Sequence, residues 1–194
     1  MVSVFSTDDA MLLRQRAATL LKWTFVFCLL GNPAQADEQN LEYKVKAAYL
    51  YNFTKFITWP EKTAPTFNIC IIGHDPFGPL LDALESKTVL DKPIRLFRFE
   101  SPKPAKDCDI AYLDNTEQRA ELALPGVLFV GSLKKALTVS SEPFFAESGG
   151  MIGFALDDGK VKLHINLRAL KQNGLTVSAK LIEVSTVVEG GERE

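Results

Sequence analysis

The spacing of hydrophobic and polar positions changes character along this chain. Over 40–58 (NLEYKVKAAYLYNFTKFIT), Leu41, Val45, Ala48, Asn52, Phe53, Phe56 and Ile57 recur at intervals of three and four, which predicts an amphipathic helix. Asn40 suits its N-cap, although Tyr43 stands where a capping box would carry Glu or Gln. Trp59-Pro60 closes it, because proline disfavours helical backbone in the residue before it. Short apolar runs then take over at 67–72 (FNICII), 94–99 (IRLFRF), 109–113 (DIAYL) and 127–130 (VLFV), with helix-like pieces at 77–86 and 115–123 between them. FNICII and VLFV are almost continuously apolar, as strands covered on both faces are.

The last third alternates instead. MIGFAL (151–156) and KVKLHIN (160–166) flank Asp157-Asp158-Gly159, a favoured hairpin turn. In the second strand Val161, Leu163 and Ile165 alternate with Lys160, Lys162, His164 and Asn166, which predicts one wet face and a solvated His164. A helix is expected over 167–172 with Gly174 at its C-cap, and another within 178–188 with Ser178 as N-cap. The alternation of strands and helices predicts an α/β layered sandwich with a mostly parallel central sheet, a C-terminal β-hairpin and flanking helices.

The N-terminus carries a different signal. Arg14, Arg16 and Lys22 precede the apolar run Trp23–Leu30, and Ala34-Gln35-Ala36 supplies a small-residue cleavage site. This order predicts a secretory signal peptide over 1–36 and a single domain over 37–194. The apolar run is shorter than the ~20 residues a spanning helix needs. Cys28 lacks the small residues that precede a lipid-modified cysteine. The whole chain has a formal net charge of −2. The leader removes three basic and two acidic residues, so the remainder is slightly more acidic and has no basic block to attract nucleic acid. Two cysteines remain, Cys70 and Cys108, 38 positions apart. In an oxidising compartment an even count favours a bridge, against the alternative of two buried free thiols.

Candidate chemistry is sparse. FNICIIGHDPFG (67–78) places Cys70, His74 and Asp75 close in sequence. A mid-strand cysteine lacks the exposed, electropositive setting a thiolate needs. In an extended strand Cys70 and His74 stand about 13 Å apart, too far for a nucleophile–base pair. Gly73 is not followed by a phosphate-binding pattern, and Asp75-Pro76 fits an Asx turn opening a helix. Gly149-Gly150 leads into a strand, so a tight turn with positive φ is expected there. The two histidines are 90 positions apart with no ligand cluster, so neither a metal nor a cofactor is expected. Pro143-Phe144-Phe145 lies in a polar loop, and Trp59 ends the aromatic-rich first helix. Phe144, Phe145 and Trp59 are the candidate partner-binding residues, since such aromatics anchor interfaces or close over a core.

KAAYLYNFTKFITWP, NICIIGHDPFG, the cysteine of CDIAYLD, GVLFVGS and GGMIGFALDDGKVKLHINL occur in an order that resembles the YfiR/HmsC family. The resemblance implies an α/β sandwich, often a homodimer, that is a periplasmic regulator and not an enzyme. Proteins of this type bind the periplasmic sensor domain of an inner-membrane diguanylate cyclase and repress it. An OmpA-like outer-membrane lipoprotein sequesters the repressor, and cyclic di-GMP and biofilm formation then rise. Cys70 and Cys108 match the principal disulfide of the family. A second cysteine pair of some members would fall near 143–151, where this chain has no cysteine. The alternative reading is a periplasmic small-molecule binding module that feeds a sensor kinase or transporter.

Overall fold

The computed structural model describes residues 33–61, 63–100, 107–114, 133 and 135–190, with side chains from Asn40 onward. The chain divides into two compact units, Met1–Gln39 and Asn40–Glu194, and apart from the first residues of the helix Pro33–Phe56 the features below belong to the second. The expected signal peptide, the piece at 115–123 and the strand at 127–130 lie outside the described residues.

Helix α1 spans Pro33–Phe56, so Asn40 is inside a helix and not its cap. Its buried stripe also differs from expectation. Leu41 and Val45 are exposed, whereas Lys46, Ala47, Leu50 and Phe53 are buried. The tyrosines flanking this stripe blur its edges, and a lysine on it hides its apolar character. Ile57–Thr58 forms strand β1, which pairs antiparallel with β9 (Thr176–Val177).

The main sheet has eight strands in the order β10-β8-β7-β6-β5-β2-β4-β3. They are β2 (Phe67–Gly73), β3 (Thr88–Val89), β4 (Lys92–Phe99), β5 (Ile110–Asp114), β6 (Leu137–Ser140), β7 (Ile152–Asp157), β8 (Lys160–Ile165) and β10 (Thr186–Val187). The neighbours from β4 through β2, β5 and β6 to β7 are parallel, as is β8 with β10. The β7–β8 hairpin and the β3–β4 pair are antiparallel. The expected α/β class with a mostly parallel sheet and a late hairpin is what the chain forms, and the described helices are few. Strand β6 was not expected, because LTVS is short and half polar, yet all four of its residues are buried.

The period-2 alternation of the central strands divides the core. Phe67, Ile69 and Ile71 of β2 and Ile110 and Tyr112 of β5 join Leu50 and Phe53 of α1 in the larger cluster. Cys70, Ile72 and Ala111 face the opposite side with Cys108, Leu133 and Ala136. The piece expected as a helix at 77–86 is a 3-10 helix, Gly78–Ser86, with Pro79 rather than Pro76 in its first turn. Asp75 makes the expected Asx turn, its Oδ1 accepting from the N–H groups of Phe77 (2.9 Å) and Gly78 (3.1 Å). Helix α2 (Leu167–Gln172) is capped by Asn166 and followed by Gly174 at φ 74°, and α3 (Ala179–Glu183) is capped by Ser178. Asn166, expected on the wet face of β8, is buried because its amide donates to the Ala146 carbonyl at 2.9 Å while its Oδ1 caps α2.

Candidate functional site

The cysteine, histidine and aspartate of FNICIIGHDPFG do not converge. Cys70 is fully buried and bridged to Cys108, with Cα atoms 5.8 Å apart, so no thiolate is available. His74 is largely exposed, its Nδ1 3.9 Å from Asp114 Oδ2. Asp75 is held by Arg98, whose Nε donates at 2.6 Å and whose Nη2 reaches Asp82 at 2.9 Å and the Gly78 carbonyl at 3.0 Å. These bonds to Asp75 and then Asp82 raise the Arg98 pKa further. Gly73 is required for a local reason: at φ 92°, an added Cβ would sit 1.9 Å from the Asp114 carbonyl oxygen. Among the described residues no group of three or more His, Cys, Asp or Glu is placed to hold a metal.

A cavity of about 510 Å³ opens elsewhere. It lies beyond the carboxyl ends of β5 and β6, where open α/β sheets characteristically bind ligands. Topology makes the space. Strand β7 pairs with β6 only at Val139–Ile152 and Ser140–Gly153, so Phe154, Ala155 and Leu156 run on past the end of β6. The N-terminal part of the described α1 supplies a second wall through Glu42, Tyr43 and Lys46. The loop after β6 supplies the rest, including Ser141, Phe144, Phe145 and Glu147.

A hydrogen-bonded chain crosses this site. Lys46 is only 3% exposed. Its Nζ donates to Glu42 one turn earlier and to Ser141 Oγ at 2.8 Å. Ser141 Oγ in turn lies 2.8 Å from the Tyr112 hydroxyl. The ammonium also sits over the rings of Tyr43 (4.9 Å) and Phe154 (5.8 Å). A buried lysine is tolerated only with such partners. Burial raises the phenol pKa of Tyr43, helped by the nearby charges of Glu42 and Asp114. Burial pushes Tyr112 higher still, against the opposing hydrogen bond from Ser141.

At the other end, His164 Nδ1 lies 2.8 Å from Glu147 Oε1, so His164 is not simply solvated as its place on β8 suggested. The pair ties the 142–149 loop to β8. Phe145 packs over Gly150, where an added Cβ would come within 2.2 Å of the ring. Gly149 has the expected positive φ, at 103°. Of the aromatics expected to meet a partner, Phe144 is 72% exposed at the cavity mouth and Phe145 is half-buried. Trp59 is buried, edge-on to Phe67 at 5.2 Å, with its indole N–H donated to the Asp109 carbonyl at 3.2 Å.

Lys46, Ser141, Phe154 and Glu147 escaped the sequence reading because their meeting depends on the crossing of α1, β6, β7 and a loop. One signal was present: Lys46 stands four residues before Leu50 and seven before Phe53, on the same helical face.

The chain resembles the ABC domain in complex with L-Trp from Streptococcus pneumoniae at 11% identity and a TM-score of 0.49, over 76% of this chain. It spans 60% of that chain's length. None of the curated proteins matches it. Residues 43–186 match the YfiR/HmsC-like family, a span that contains α1 from Tyr43, the disulfide, the cavity lining apart from Glu42, and the hairpin. The chain belongs to the YfiR/HmsC-like family.

Proposed function

We propose that this chain is an exported, periplasmic repressor of an inner-membrane diguanylate cyclase, acting by protein–protein binding to the cyclase's periplasmic sensor domain. Membership of the YfiR/HmsC-like family over residues 43–186 is the observation that carries this reading. The buried Cys70–Cys108 bridge supports it, since such bonds persist in oxidising compartments. Phe144 and Leu156, 72% and 56% exposed, offer an apolar rim for a partner, with Phe145 behind it. To repress, the protein must bind the inactive conformation of the sensor more tightly than the active one; equal affinity would shift nothing. An OmpA-like outer-membrane lipoprotein that competes for the repressor would release the cyclase, raise cyclic di-GMP and favour biofilm.

The test is a pull-down of the oxidised protein against detergent-solubilised inner membrane. Recovery of a membrane protein with a periplasmic sensor and a cytoplasmic cyclase domain is expected, and loss of the gene should raise cyclic di-GMP. Unchanged cyclic di-GMP and matrix would overturn the reading. The cavity beside Lys46 favours a second reading, a periplasmic small-molecule binding module feeding a sensor kinase or transporter. Tight metabolite binding with no protein partner would select it.

A further inference from the structure

We infer that the outward face of α1 docks an acidic amphipathic helix of a protein partner. This goes beyond the reading above, which uses the Phe144 rim. Leu41, Val45, Ala48, Asn52 and Lys55 recur at intervals of four, three, four and three, the spacing of a seam between paired helices. At 3.6 residues per turn they stand opposite the buried stripe of Lys46, Leu50 and Phe53. The seam therefore lies outside: Leu41 is 62% and Val45 36% exposed, and Ala48 is exposed as well. An apolar stripe at helical spacing normally faces a core, and this one faces solvent.

Charge selects the occupant. Lys44 flanks the seam directly. The ammonium groups of Lys55 and Lys87 lie 4.5 and 5.4 Å from the centre of the Tyr51 ring, which gathers both at the far end of the helix. None of these three lysines is in an ion pair among the described residues. Glu42, the one carboxylate within 40–56, turns to Lys46 instead. A twofold-related second copy would press this basic face against itself. A bilayer surface calls for a broad face of large apolar side chains, whereas Ala48 and Asn52 leave this seam narrow and partly polar. A helix fits better. Ala48 admits its close approach, and acidic residues beside its apolar stripe meet the lysines, as flanking charges set partner choice between paired helices. Two heptads seat a short helix of this kind.

Fluorescence anisotropy with the oxidised protein would compare two labelled peptides, each about three heptads long with Leu along the seam, one flanked by Glu and the other by Lys. The Glu peptide is expected to bind at least about tenfold more tightly, and Val45→Glu to weaken it about tenfold. Equal binding of the two peptides, binding of neither, or an unchanged affinity in Val45→Glu would overturn the inference. Should that variant fail to fold, Ala48→Glu carries the same test at an exposed helix position, with the melting temperature confirming the fold. Light scattering and phosphatidylglycerol vesicles separate the other occupants. A dimer that Val45→Glu splits would give the face to a second copy, and vesicle binding that Val45→Glu removes would give it to a bilayer; either result would overturn the inference.

Discussion

Asp109 joins three parts of the fold. It is 4% exposed, and its Oδ2 accepts the Asn68 N–H at 2.8 Å. Its carbonyl receives the Trp59 indole N–H and the Leu137 N–H, while its own N–H reaches the Asn68 carbonyl. Asp109→Ala would leave a buried donor unmet, so a loss of about 1–3 kcal/mol is expected in urea unfolding. A loss below a few tenths would show that water replaces the carboxylate. Tyr112 permits a test by pH. Its folded pKa is raised by burial, so the folded state favours the neutral phenol. The stabilisation is therefore fully present below the unfolded value of about 10 and is lost as pH rises above it. The wild type should lose melting temperature faster than Tyr112→Phe above that pH; parallel curves would mean the phenol ionises freely. Gly150→Ala belongs to the same scale. A methyl directed at the Phe145 ring should cost about 1–3 kcal/mol as an overpacked contact and shift the environment of Phe145 in NMR spectra.

Individual elements show where local pattern suffices. FNICII became β2 almost to the residue, because a nearly continuous apolar run with three isoleucines, bounded by a glycine, has few other outcomes. The Asp158-Gly159 turn followed its own chemistry, with φ values of 48° and 70°. Helix α1 was legible as a helix but not in its orientation. Its exposed Leu41 and Val45 imitate a core stripe, while Lys46 occupies a core position because Glu42 and Ser141 neutralise and bind it. The disulfide links β2 to the segment entering β5 across 38 positions. Closing a loop of that size removes unfolded-state entropy worth about 3–4 kcal/mol in the chain-entropy account. Reduction should therefore lower the melting temperature by several degrees, as differential scanning calorimetry with and without reductant would show. No shift would mean that the reduced native state is equally well determined by its packing.

At the scale of the whole molecule, a single face gathers the exposed rim and the cavity. Phe144 sits there at φ 58°, an exposed aromatic outside the usual backbone region for its type. Phe144→Glu should reduce recovery of the membrane partner about tenfold or more while leaving the melting temperature within a few degrees, because the ring has little packing to lose. Full recovery would move the contact surface elsewhere. The α/β class, strands β2, β4, β5, β7 and β8, the late hairpin, the cysteine pair and the family likeness were readable from residue order, since each depends on local periodicity or on motifs in series, whereas the central strand β6 was not. The cavity, the depth of Lys46, the pairing of His164 with Glu147 and the burial of Trp59 were not. They arise where strands of unequal length end beside one another and a helix crosses them. Contacts between residues about a hundred positions apart, such as Lys46 with Ser141, leave no periodic trace in either segment. Local propensity specifies the elements; only their packing decides which polar groups are enclosed together.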